Sequence, residues 1–113
     1  MHLLVIVLNK EIFLDEVLEA FVEVGITGAT IVDSAGMGQT LAYQIPIFAG
    51  LRKSIKTSEY SKMIFSVVQD DKTLEEAIHL IEKIVDFNTP GNGILFVVPI
   101  TLTRGIGHDE LTW

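Results

Sequence analysis

Ala29-Thr30-Ile31-Val32 and Met63-Ile64-Phe65-Ser66-Val67-Val68 are two runs of β-type residues with no helical pattern between them. β-Branched and aromatic side chains fit a pleated, half-buried surface, so each run predicts a strand, the first extending over Gly28 to Ser34. Between them the chain passes through Gly36-Met37-Gly38-Gln39 into a segment without clear period that holds Tyr43, Pro46, Gly50, Arg52, Lys53, Lys56 and Tyr60. Connections this long inside a small domain usually carry function or are disordered. The segment from about residue 39 to 60 therefore reads as a functional loop, and the rest of the chain as the scaffold holding its two ends side by side.

The flanks complete the order. Leu3-Leu4-Val5-Ile6-Val7-Leu8 is continuously apolar, the pattern of a central strand buried on both faces. From Leu14 the spacing changes to threes and fours, with Leu14, Val17, Leu18, Phe21 and Val22 opposite Asp15, Glu16, Glu19 and Glu23, which predicts an amphipathic helix closed by Gly25. After the third strand, Asp70-Asp71-Lys72 reads as a turn and Thr73-Leu74-Glu75-Glu76 as a capping box opening a second helix, with Leu74, Ala77, Ile78, Ile81, Ile84 and Val85 on one face. Asn88-Thr89-Pro90-Gly91-Asn92-Gly93 breaks that helix, and Ile94 to Val98 is the fourth strand, stopped at Pro99. Strand, helix, strand, strand, helix, strand is the order of the ferredoxin-like plait, an α+β fold whose four-stranded antiparallel sheet carries both helices on one face. The other face keeps apolar residues that symmetric association would cover.

Composition limits the partners. The 113 residues fit one domain, 1–113, and the mean hydropathy of +0.45 is high for a small monomer. Fifteen acidic against eight basic residues give a net charge of −7, which argues against nucleic acid and anionic membranes as partners. The apolar run Leu3 to Leu8 is too short for a membrane span or a signal-peptide core, and there is no cysteine. A cytoplasmic protein without membrane insertion is the expectation. No catalytic set stands out: cysteine is absent, no Ser-His-Asp order has supporting context, and no Gly-x-x-x-x-Gly-Lys stretch occurs. The expectation is a protein that is not an enzyme.

Four segments in order, Leu14-Asp15-Glu16-Val17-Leu18-Glu19-Ala20-Phe21, Gly25 to Ile31, Gly36-Met37-Gly38, and Gly91 to Pro99, resemble the nitrogen regulatory P-II signalling proteins over nearly the whole chain. The resemblance implies a homotrimer with sheets facing inward. It implies a long loop, here about 39–60, that contacts a target transporter or enzyme, with Tyr43, Arg52, Lys53 and Lys56 as its candidate contacts. It also implies an effector cleft between subunits, with ATP, ADP or AMP as the candidate ligand and Gly36, Gly38, Gln39, Gly91, Asn92, Gly93 and Arg104 as the candidate residues. The family places basic residues after the loop-entrance glycines and after the second turn glycine, and two Arg in the tail; this chain has Gln39, Ile94 and Arg104 alone. A less charged nucleotide, another small molecule or no ligand are the alternatives that follow.

Blander readings stand beside these. The glycine pairs also suit tight turns demanded by backbone geometry, and Arg52, Lys53 and Lys56 also suit a solvated loop face. His2, His79 and His108 lack ligand spacing, so no metal is assigned within one subunit. A trimeric divalent-metal-binding protein of the CutA type, built on the same plait, is the alternative function, followed by a structural trimer without ligand. Trp113 suits packing on a neighbouring subunit or simple exposure.

Overall fold

The computed structural model describes residues 1–43, 47 and 60–106. Strands β1 (His2–Leu8), β2 (Thr30–Asp33), β3 (Lys62–Val68) and β4 (Gly93–Pro99) form one antiparallel sheet in the order β2-β3-β1-β4. Helices α1 (Leu14–Glu23) and α3 (Asp71–Ile84) are the two long helices, and a short helix α2 (Met37–Tyr43) follows β2. This is the plait that the order of elements predicts.

Period two in the strands sorts side chains to two faces. Leu4, Ile6 and Leu8 of β1 and Ile64 and Val68 of β3 are buried with Val17, Ala20 and Phe21 of α1 and Leu74, Ala77 and Ile81 of α3. Each large side chain so buried contributes about 1.5–3 kcal/mol relative to exposure. That packing, more than intrinsic helix propensity, fixes α1 and α3 on one side of the sheet.

The ends of the helices have local causes. Gly25 takes φ +89° beyond α1, its amide donates to the Val22 carbonyl at 3.0 Å, and the Ile26 amide reaches Phe21 O at 2.8 Å. This paired closure is the Schellman arrangement, with buried Ile26 as its apolar partner. At α3 the expected capping box is corrected. The cap is Asp70, whose carboxylate accepts from the Thr73 amide at 2.9 Å and the Thr73 hydroxyl at 2.6 Å, and the helix begins at Asp71. A carboxylate already meets the free amides there, so Asp71 and Lys72 are helical and the Thr73 hydroxyl serves the cap as a donor.

Candidate functional site

Strand register places both halves of the candidate site at one end of the sheet. Asp33 of β2 pairs with Lys62, Lys62 with Leu8, and Leu8 with Gly93, forming one row across all four strands. One step beyond it, the Ser34 amide donates to Ser61 O and the Asn9 amide to Asn92 O, each at 3.0 Å. The loop entrance leaves from the β2 end of this row and the glycine turn enters at the β4 end. With strands about 4.8 Å apart, three spacings separate the two margins by roughly 14 Å.

The neck of the loop is tied. Ser34 and Ser61 hydroxyls lie 2.6 Å apart, Ser61 is buried, and Lys62 donates to the Asp33 carboxylate. That bond with Asp33 raises the Lys62 pKa above its ordinary value, and the ammonium also lies 5.7 Å from the centre of the Tyr60 ring. The Tyr60 hydroxyl is shifted upward, first by desolvation and then by the carboxylates of Glu11, Asp15 and Asp33, against the opposing pull of Lys62.

Past the neck the structure departs from an irregular entrance. Met37–Tyr43 is helical, its first turn closed by the Thr40 amide on Gly36 O at 3.0 Å. Gly38 and Gln39 are therefore helical residues, not members of an extended glycine loop, and Tyr43 closes the helix. A short helix with two glycine-flanked positions and no charged residue has no periodic signature, which is why the sequence did not predict it. Gly36 is exposed, and a Cβ there would meet nothing within 4 Å. Arg52, Lys53 and Lys56, His108, Trp113 and the body of the expected loop lie outside the described residues.

The second half of the site hangs on Asp86. Its carboxylate accepts from the Asn88 amide at 2.9 Å and the Thr89 hydroxyl at 3.0 Å, and its carbonyl accepts from the Thr89 amide at 3.1 Å and from Asn92 Nδ2 at 2.9 Å. Gly91 takes φ +88°, a left-handed turn that glycine adopts without strain. Gly93 has φ +146°, and a Cβ there would collide with the Val7 carbonyl oxygen of the neighbouring strand. Its lack of a side chain is thus required by the β1–β4 pairing itself. Asn92 is buried, and its Oδ1 has no hydrogen-bond partner among the described residues; the same holds for buried Gln39 Oε1. Arg104 is exposed, and its guanidinium donates to the adjacent Thr103 carbonyl at 3.1 Å.

The sheet face opposite the helices is apolar across all four strands. Val32, Met63, Val7 and Ile94 form one row on it, and Thr30, Phe65, Val5 and Phe96 the next. Val32, Ile94, Phe96 and Val98 are exposed there. Among the described residues no group of three or more acidic or His side chains could hold a metal ion, and no helix is long and apolar enough to cross a membrane.

Comparison with known proteins agrees with this architecture. The family model described as nitrogen regulatory protein P-II matches residues 1–110. A nitrogen regulatory protein P-II of Azospirillum brasilense is 32% identical over 96 residues, covering 80% of this chain and 79% of the relative.

Proposed function

This chain belongs to the nitrogen regulatory protein P-II family, and we propose that it is a trimeric cytoplasmic regulator that binds a small effector, an adenine nucleotide or nucleoside, between subunits and acts on a target protein through the segment joining α2 to β3. The observation that carries this reading is the division of the candidate site. Its two halves share one end of the sheet but stand at opposite margins, about 14 Å apart. A second copy seated against either margin would close a cleft there. A ring of copies brings the β4 margin of one beside the β2 margin of the next, and the exposed apolar face supplies the surface that such a ring buries. Three copies is the number that the resemblance to P-II proteins implies.

Regulation then needs an effector that binds one arrangement of the α2 entrance better than another, since only differential affinity shifts a population. Sedimentation velocity combined with a thermal-shift panel of ATP, ADP, AMP and adenosine tests the reading. A trimer whose melting temperature rises with one of them is expected. A monomer with a flat response across the panel contradicts it.

A further inference from the structure

We infer that Ser34, Ser61, Asp33 and Lys62 form a two-sided clasp at the ends of β2 and β3, that the short helix α2 keeps its order through this clasp, and that the ionic half makes that order sensitive to salt. Period two sends adjacent positions of a strand to opposite faces. Lys62 shares the side of Ile64, in the helix-side core, and Asp33 pairs with it. Ser61 keeps the parity of Met63 and Ser34 that of Val32, and the Ser34 amide continues the ladder onto Ser61 O at 3.0 Å. The end of the ladder is thus tied by an ion pair on one face and by hydroxyls 2.6 Å apart on the other.

Among the described residues, α2 has little else to hold it. Its 7 residues fall well below the roughly 12–15 at which an isolated helix is marginal, and Gly38 lowers its propensity further. Met37 is exposed and Gly38 to Leu41 are only half-buried. The first turn closes through the Thr40 amide on Gly36 O, and only Ala35 stands between Gly36 and Ser34. A fixed Ser34 therefore orients the first carbonyl of the helix, and an opened clasp returns that carbonyl to the conformational freedom of a glycine. The two halves respond differently to ions. Ser61 is buried, so salt leaves the hydroxyl pair unchanged. The Asp33 side chain is 85% exposed and that of Lys62 29%, so added salt screens their attraction and shifts the population toward the open neck.

The test is amide hydrogen exchange of the full chain by NMR at low and high salt, read at the Thr40 amide as a protection factor. Ser61→Ala is expected to lower that protection about three- to tenfold, and Lys62→Met about two- to fivefold at low salt. High salt is expected to lower it in the parent chain and to have no effect in Lys62→Met. Ser66→Ala removes a buried hydroxyl bond of β3 away from the neck and is expected to leave Thr40 unchanged, because α2 opens without global unfolding. Protection left unchanged by either neck variant, or lowered equally by Ser66→Ala, overturns the inference. So does a Thr40 amide without protection in the parent chain at low salt. Salt dependence that survives in Lys62→Met overturns the ionic half of the clasp.

Discussion

The Val7 carbonyl oxygen occupies the space that a Cβ on Gly93 would need. Because Gly93 pairs with Leu8 at the start of β4, any side chain there must push the β4 backbone away from that of β1. Gly93→Ala is expected to destabilise the fold by about 2–4 kcal/mol, measured by urea denaturation. Gly36→Ala, with open space around it and φ outside the left-handed region, is expected to change stability by less than about 1 kcal/mol. Equal effects of the two changes would contradict this division.

Ser66 sits fully buried on the helix-facing side of β3, where its hydroxyl donates to the buried Gly28 carbonyl at 2.7 Å. This bond holds the approach to β2 against the sheet. Ser66→Ala leaves that carbonyl unpaired, and a loss of about 1–3 kcal/mol by denaturant unfolding is expected. A neutral result would mean that water reaches Gly28.

Phe96 and Val5 are paired neighbours on the open face. Phe96→Lys places a charge on that surface without touching the helix-side core. The variant is expected to keep its helical circular dichroism and to sediment as a smaller species than the parent protein. A variant that assembles normally places the contact elsewhere, and a parent that is itself a monomer contradicts the assembly.

Asp70 caps α3, and its two bonds from Thr73 hold its pKa below the ordinary carboxylate value of 3.8. A lowered folded-state pKa means that the cap's contribution is complete above the unfolded value and is lost as pH falls through the folded one. Asp70→Ala is therefore expected to lower the melting temperature by a few degrees at neutral pH, with the difference from the parent shrinking below about pH 4. A difference that is constant down to pH 2 would show that the carboxylate charge is not what caps the helix.

Much of this was legible because core periodicity is a strong signal. Leu4, Ile6 and Leu8, the Leu14 to Phe21 stripe and the Leu74 to Val85 stripe each point to the face they bury, and Gly25 marks the end of α1. Three features were not. The α3 cap was assigned to Thr73 because the Thr-x-x-Glu spacing is local, whereas the choice between Asp70 and Thr73 depends on backbone conformation, extended at Asp70. The α2 helix is too short to show a period. Ser66 gave no sign that its hydroxyl has a backbone partner 38 residues away. In the candidate site, the glycine turn was found from composition, but the demand on Gly93 comes from strand pairing and the free acceptor on Asn92 from an Asp86 contact that spacing does not reveal.

The most direct test of the central claim is native mass spectrometry of the full chain titrated with adenosine, AMP and ATP. A trimer that takes up to three ligands and resists dissociation when they are bound is the predicted result, because each ligand would bridge the β2 margin of one copy and the β4 margin of the next. Monomers that bind ligand one to one, or a trimer that binds none of the three, would contradict an effector site between subunits.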